Sequence, residues 1–249
     1  MDASVQNFLY RNPEYYERVY PRSDESQARL CRRMIARYRA APAASLLDLG
    51  CGTGRDLDVL AQTVPECWGV DCLPEMIAFG QARRPHLRLQ TADMRTVRLG
   101  RTFDVIISMG SAFMYALTNA DVAGVLDTYA AHAHAGTLLI LDMWNAASFL
   151  GGGAFRETVE FKLDTPDFTA TGVAVYGFDR RGQSLVRRRT WHIEGQPSVE
   201  DFCQYRLFFP AEIEHLLTEK GFRTAGMFDN ADLDETDLSG SRLYVAATR

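Results

Sequence analysis

The stretch that decides the fold spans residues 45–54 and reads Ser45-Leu46-Leu47-Asp48-Leu49-Gly50-Cys51-Gly52-Thr53-Gly54. Its first half is a short apolar run ended by glycine, which predicts a buried strand. The glycines of its second half tolerate positive φ angles and let a ligand approach bare backbone. A helix is predicted next, over residues 55–64. Such a glycine turn lies at the carboxyl end of the strands, where open α/β sheets bind their ligands.

Further strands and helices alternate after the glycine turn. Strands are predicted at residues 67–71, 87–90, 103–108 and 137–142, and helices at residues 74–84 and 121–132. Strands separated by helices of this length indicate parallel strands joined by right-handed crossovers. A helix at residues 210–220 and strands at residues 223–228 and 242–247 complete the pattern. We predict an α/β protein with a doubly wound, Rossmann-like sheet of seven strands.

The pattern changes after Trp144. Residues 155–209 are rich in β-type alternation, and the runs 172–178 and 184–193 flank a turn at residues 179–182, which indicates a hairpin. We therefore predict an antiparallel β layer inserted after the fifth core strand. At the other end, residues 1–22 are aromatic and loop-like, and a helix follows from Ser23 or Ser26 to about Arg39.

The composition narrows the class of protein and its partners. The chain has 249 residues, 47% hydrophobic and 24% charged, which excludes disorder over most of its length. No run approaches the ~18 apolar residues of a membrane-spanning helix. Residues 1–4 show no start of a signal peptide, so we expect a cytoplasmic protein without membrane association. The net charge of −5 disfavours nucleic acid as a ligand. The odd number of cysteines, without CxxC spacing, indicates free thiols and no metal site.

The glycine turn distinguishes between two kinds of cofactor. A nicotinamide-binding turn would read G-x-G-x-x-G, whereas here the sixth position is Arg55. The turn instead resembles the first motif of class I S-adenosylmethionine-dependent methyltransferases, an acidic residue followed by x-G-x-G-x-G. The resemblance continues in order over residues 45–145. It implies S-adenosylmethionine as the cofactor, bound along Gly50, Cys51, Gly52 and Gly54.

The same resemblance assigns roles to residues at the other strand ends. Asp71 would bind the two ribose hydroxyls, because a carboxylate offers two acceptor oxygens. Asp93 and the backbone of Met94 would bind adenine. Side chains expected to flank or cover the cofactor are Cys72, Met76, Ser108, Tyr16 and Tyr20.

The acceptor is expected to enter between the N-terminal segment, the loop after the fourth strand and the inserted layer. Tyr115 is the candidate catalytic residue, which would orient or deprotonate the acceptor. Met114 and Trp144 would form the substrate wall. A resemblance to nucleotide-linked aminosugar N-methyltransferases, in which an arginine near the last strand helps to bind the substrate diphosphate, implies that Arg242 would bind a phosphate or carboxylate. We expect the run Arg187-Arg188-Arg189 to form a solvated or dimer-facing edge.

The overall layout resembles nucleotide-linked aminosugar N-methyltransferases, with one departure. Those enzymes carry a histidine after the fourth strand as the candidate base, whereas this loop reads Phe113-Met114-Tyr115. An activated methyl group mainly needs an aligned acceptor, so the catalytic contribution of any single residue is expected to be modest.

The sequence therefore predicts methyl transfer to an amine or hydroxyl of a small molecule, a natural product or nucleotide-linked sugar, mainly by proximity and orientation. The alternatives are a nicotinamide-dependent oxidoreductase, a non-catalytic cofactor-binding module and a macromolecular methyltransferase. The predicted division is residues 1–40 as an N-terminal lid and helix, 41–154 as the cofactor-binding core, 155–209 as the inserted substrate or dimer layer, and 210–249 as the end of the core sheet. A homodimer is a further prediction.

Overall fold

The computed structural model describes residues 5–149, 156–166 and 168–249. Two 3-10 helices, Ala112–Tyr115 and Ala146–Phe149, accompany the regular elements. In chain order the regular elements are β1 (Val5–Gln6), α1 (Phe8–Arg11), α2 (Pro13–Val19), α3 (Ser26–Tyr38), β2 (Ser45–Leu49), α4 (Arg55–Leu60), β3 (Glu66–Asp71), α5 (Pro74–Arg83), β4 (Arg88–Thr91), β5 (Phe103–Ser108), α6 (Asn119–Ala131), β6 (Ala133–Trp144), β7 (Thr158–Thr165), β8 (Phe168–Asp179), β9 (Ser184–Ile193), β10 (Val199–Arg206), α7 (Pro210–Thr218), β11 (Arg223–Phe228) and β12 (Arg242–Thr248).

The core is a seven-stranded sheet in the order β11-β12-β6-β5-β2-β3-β4. Strands β2 to β6 pair in parallel, and β12 lies antiparallel to both β6 and β11. Every residue of β2 is buried, because helices cover both faces of a parallel sheet. Leu46 packs into one apolar cluster, and Leu47 and Leu49 pack into the other, as strand alternation requires. The predicted α/β architecture is confirmed.

The inserted antiparallel layer is also confirmed. Strands β7 to β10 pair in sequence order, and the predicted hairpin is β8 with β9. The predicted boundary at residues 154 and 155 lies outside the described residues. Strand β1 adds a fifth strand, with Val5 opposite Cys203 and Gln6 opposite Phe202. No local pattern predicted this pairing, because it joins segments almost 200 residues apart.

The N-terminal segment differs from the prediction of a loop. It contains α1 and α2, because the Asn7 side chain accepts a hydrogen bond from Leu9 N (3.0 Å) and Pro13 occupies the first turn of α2. The next helix begins at Ser26 without a serine cap: Asp24 accepts from Ser26 N at 3.1 Å. Within the described part of the chain, no helix has the length and apolar content to span a membrane.

Candidate active site

A cavity of about 740 Å³ opens at the carboxyl ends of the parallel strands, beneath the N-terminal segment and the inserted layer. The predicted site residues that line it are Tyr16, Tyr20, Gly50, Cys51, Gly52, Asp71, Cys72, Met76, Asp93, Met94, Tyr115, Trp144 and Arg242. Other lining residues received no role from the sequence, among them Tyr10, Asp48, Arg55, Arg187 and Tyr205. The ends of the parallel strands therefore bring most of the predicted residues together. The N-terminal segment and the inserted layer add cavity residues that the sequence did not predict.

The glycine turn forms part of the cavity wall. Gly50, Gly52 and Gly54 all have positive φ, at 93°, 56° and 76°. A Cβ at Gly50 would overlap the Cβ of Ala112, and one at Gly52 would lie 3.4 Å from the Met76 side chain. The turn therefore presents backbone to the cavity, as close binding of a small ligand requires.

Asp71 stands at the end of β3 with both carboxylate oxygens held by backbone. Its Oδ2 accepts from Gly52 N (2.8 Å), and its Oδ1 accepts from Leu73 N (2.9 Å). Burial raises the Asp71 pKa, and these backbone donors oppose that shift. Each carboxylate oxygen has a further lone pair, so this group can still accept from a diol in the cavity.

Asp48, on β2, is a second acid in the cavity wall. Its side chain is buried, and its Oδ1 has no hydrogen-bond partner within the described structure. Burial raises the Asp48 pKa well above its usual range. An unpartnered buried acceptor is costly, so a ligand group that donates hydrogen bonds would stabilise it. The cofactor implied by the sequence carries ribose hydroxyls and an amino group, and it fits these two acids.

Asp93 lies at the end of the cavity where adenine binding was predicted, and a neighbouring arginine stabilises its negative charge. Arg95 binds both Asp93 oxygens, with Nη2 at 2.6 Å from Oδ2, and Arg95 also pairs with Asp121 (2.8 Å). The hydrogen bonds from Arg95 lower the Asp93 pKa, so this acid is ionised at neutral pH. Nearby Cys72 is exposed to the cavity, and partial desolvation there raises its pKa to about 11, so it remains a thiol.

A hydrogen bond and an ion pair hold helix α2 over the glycine turn. Glu17 Oε1 accepts from Thr53 Oγ1 (2.6 Å) and pairs with Arg84 Nη1 (2.7 Å). The same helix carries Tyr16, and Tyr20 follows its last residue; the two ring centroids are 5.1 Å apart. The Tyr16 hydroxyl lies 4.0 Å from the position that a Cβ on Gly52 would take. Tyr16 therefore covers the turn, and Tyr20 packs against it at the cavity wall.

The acceptor side of the cavity is aromatic. The Trp144 ring stacks on Tyr205 at 5.7 Å, and the Tyr115 hydroxyl lies 3.4 Å from the Tyr205 hydroxyl. Tyr10 contacts the Tyr115 ring edge-on at 6.3 Å. Burial raises the pKa of Tyr10 to about 12 and that of Tyr115 well above its usual range. These phenols therefore keep their protons at neutral pH, so Tyr115 is suited to orient an acceptor and unsuited to deprotonate it.

The arginine run on β9 does not form the solvated edge that the sequence indicated. Arg187 lines the cavity, because the register with β10 places it opposite the buried Cys203. Arg189 also points inward and pairs with the buried Asp201, with Nη2 at 2.5 Å from Oδ2. Only Arg188 is exposed. The sequence showed that successive side chains of β9 face opposite sides, but it did not show which side other segments would cover.

Three predicted site residues lie away from the cavity wall. Ser108 is buried and donates from Oγ to Leu49 O (2.8 Å). Met114 is buried, and its sulfur accepts from Trp144 N (3.2 Å). Gly54 begins α4 and faces the Leu89 side chain. The structure gives all three packing roles, because each is enclosed by core residues.

Arg242 lines the cavity but already has a carboxylate partner. It forms an ion pair with the buried Asp142, and its Nη2 donates to Ser111 Oγ (3.1 Å). This pairing satisfies much of its charge, so its predicted binding of a substrate anion stays a prediction.

Comparison with known proteins agrees with this geometry. A family model described as "Methyltransferase domain" matches residues 46–136. The chain is 31% identical to the dTDP-3-amino-3,4,6-trideoxy-alpha-D-glucopyranose N,N-dimethyltransferase of Streptomyces venezuelae, over 44% of this chain and 46% of that protein. It is 32% identical to the dTDP-3-amino-3,6-dideoxy-alpha-D-glucopyranose N,N-dimethyltransferase of Streptomyces fradiae, over 51% of this chain and 50% of that protein. The matched chain thus spans about half the length of these curated relatives.

A solved structure extends the likeness over nearly the whole chain. The S-adenosylmethionine-bound amino pentose methyltransferase from Micromonospora echinaspora, involved in calicheamicin biosynthesis, superposes with a TM-score of 0.75 at 25% identity. That alignment covers 94% of this chain and 97% of the other. Residues 46–136 therefore match the methyltransferase-domain family, and the chain as a whole is similar to S-adenosylmethionine-dependent methyltransferases, among them the dTDP-aminosugar N,N-dimethyltransferases.

Proposed function

We propose that this chain transfers a methyl group from S-adenosylmethionine to the amino group of a nucleotide-linked amino sugar. The observation that carries the proposal is the division of one cavity into two chemically different sides. One side has the glycine turn with Asp48, Asp71 and Asp93, and the other has Tyr115, Trp144 and Tyr205. The relatives named above act on dTDP-linked amino sugars, which supports an amine acceptor.

The acids and the glycine turn would hold the cofactor. Asp71 would bind the ribose hydroxyls, Asp93 the adenine amine, and Asp48 a donor near the methionine end. Arg55 would meet the cofactor carboxylate, since its Nε and Nη1 are buried without a hydrogen-bond partner within the described structure. When bound, S-adenosylmethionine supplies the activated methyl group.

The aromatic side would orient the acceptor rather than ionise it. An amine must be neutral to attack, and an apolar wall disfavours its charged form. Because the buried phenols keep their protons, the amine loses its proton to water before or during binding. Alignment of the reacting groups can lower a barrier by ~7–11 kcal/mol, which needs no strong base.

The first test is cofactor binding by calorimetry with S-adenosylhomocysteine, which is inert to transfer. Asp71→Ala should bind it about ten-fold more weakly or worse, because charge-assisted hydrogen bonds to the ribose are lost. Glu75→Gln is the matched control, since Glu75 lies four residues on and is half-exposed. Circular dichroism checks that both variants fold. Equal affinity in all three proteins would contradict the assignment.

Turnover separates the remaining alternatives. The chain is incubated with S-adenosylmethionine and a dTDP-linked amino sugar, and mass spectrometry detects methylated product. Binding of S-adenosylhomocysteine without product from amine or hydroxyl acceptors would favour a non-catalytic module. Tight binding of NADH in place of S-adenosylhomocysteine would favour an oxidoreductase and contradict the proposal.

A further inference from the structure

Four arginines line the cavity, and three of them have carboxylate partners. Arg55 pairs with Asp56 at 2.9 Å, Arg95 pairs with Asp93 at 2.6 Å, and Arg242 pairs with Asp142. The fourth is Arg187, for which no carboxylate partner is found among the described residues. Among the described residues, Arg187 is therefore the cavity arginine that has no carboxylate to balance its positive charge.

The groups around Arg187 are a cysteine sulfur and aromatic side chains. Its Nη2 donates to Cys203 Sγ at 3.3 Å, and its guanidinium carbon lies 5.4 Å from the centre of the Tyr205 ring. Its Nε is buried and has no hydrogen-bond partner in the described structure. Burial raises the pKa of Tyr205 well above its usual range, so this phenol does not supply a negative charge at neutral pH.

A guanidinium enclosed in this way is costly unless an anion balances it. Its planar fork of donors matches phosphoryl and carboxylate oxygens, which it can bind in pairs. The cavity is the open space next to it, so the balancing anion would enter with a ligand.

Two contacts place Arg187 on the acceptor side. Tyr205, which its guanidinium faces, stacks on Trp144 and lies against Tyr115. The cofactor carboxylate has its own candidate in Arg55, at the start of the helix after the glycine turn. We propose that Arg187, contributed by the inserted layer, binds an anionic group of the acceptor, a phosphoryl or carboxylate group. This inference rests on the proposed function and gives Arg187 the role that the sequence assigned to Arg242.

The test measures anion binding to protein saturated with S-adenosylhomocysteine. Calorimetry uses dTDP as the phosphoryl probe, citrate as the carboxylate probe and thymidine as the uncharged probe. The variants are Arg187→Gln and Arg187→Lys. Arg188→Gln is the matched control, because Arg188 is the next residue on the same strand, faces the opposite side and is exposed.

Wild type should bind dTDP or citrate, and the preferred probe identifies the source of the anion. Arg187→Gln should weaken that binding about ten-fold or more. Arg187→Lys should weaken it less, because lysine keeps the positive charge but lacks the paired N–H donors of the guanidinium. Arg188→Gln should stay within about two-fold of wild type, and thymidine should bind all proteins alike. The melting temperature of ligand-free Arg187→Gln should not fall, since an unbalanced buried charge is removed.

Three results would overturn the inference. They are the absence of binding of both anions to wild type, unchanged anion affinity in Arg187→Gln, and loss of S-adenosylhomocysteine affinity in that variant. The last result would assign Arg187 to the cofactor. Arg242→Gln is measured in parallel, and a loss confined to it would restore the role first predicted. Failure of wild type to bind S-adenosylhomocysteine would instead contradict the proposed function, so the two failures are distinguishable.

Discussion

The phenol of Tyr115 lines the cavity, and burial determines which proton-transfer chemistry it can perform there. Its hydroxyl lies 3.4 Å from that of Tyr205, and both rings line the cavity. Because burial raises the Tyr115 pKa well above its usual range, the phenolate is scarce throughout the neutral range. Ionisation of Tyr115 should therefore not shape the pH dependence of the reaction.

The Tyr115→Phe variant tests this expectation. We expect turnover within about ten-fold of wild type, because a positioning hydrogen bond is lost and no base is removed. The profile of kcat against pH from 6 to 9 should keep its shape. A loss of several hundred-fold, or the disappearance of a basic limb that wild type shows, would mean that Tyr115 takes the proton.

At the scale of elements, one hydrogen bond and one ion pair of Glu17 hold α2 against the glycine turn, and we call these two contacts the latch. Glu17 on α2 accepts from Thr53 in the turn and pairs with Arg84 just after α5. The Glu17 side chain is 15% exposed and that of Arg84 is 6% exposed, so this ion pair is shielded from solvent. Tyr16 on α2 and Tyr20 just after it line the cavity next to this contact.

Replacing Glu17 by Gln should loosen the lid without unfolding the core. The ion pair is lost while the size of the side chain is kept, at a local cost of about 1–3 kcal/mol. Hydrogen exchange of residues 13–19 should accelerate, and S-adenosylhomocysteine should bind several-fold more weakly. Glu14→Gln is the control, since Glu14 lies on the same helix and is exposed. Equal exchange and affinity in the two variants would show that the latch has no such role.

At the scale of the whole molecule, Asp201 connects the beginning of the chain to the inserted layer. Its side chain is 1% exposed and accepts from Phe8 N, from Trp191 Nε1 and from the Arg189 guanidinium. These contacts join α1, β9 and β10, so one carboxylate on β10 satisfies donors on two other segments.

The Asp201→Asn variant should destabilise the protein strongly. Removing the negative charge leaves Arg189 buried without its ion-pair partner, which typically costs about 3–5 kcal/mol. Urea unfolding measures the loss, and Glu200→Gln is the control because Glu200 is exposed on the same strand. A difference between the two variants below about 1 kcal/mol would contradict the structural role of Asp201.

Much of the core follows from local sequence. The run at residues 45–49 and its glycines predicted β2 and the turn, because apolar length and positive φ are properties of neighbouring residues. The positions of Asp71 and Asp93 at strand ends followed in the same way, since the carboxyl ends of parallel strands meet at one edge. Their contacts with a cofactor stay predictions.

Only the tertiary structure decided which side chains of the N-terminal segment and the inserted layer face the cavity. The pairing of β1 with β10, the inward direction of Arg187 and the burial of Ser108 and Met114 all depend on residues distant in the chain. The retained proton of Tyr115 has the same origin, because its pKa is set by packing around the ring. Periodicity shows that alternate side chains face opposite ways, but which face is covered depends on the segment that packs against it.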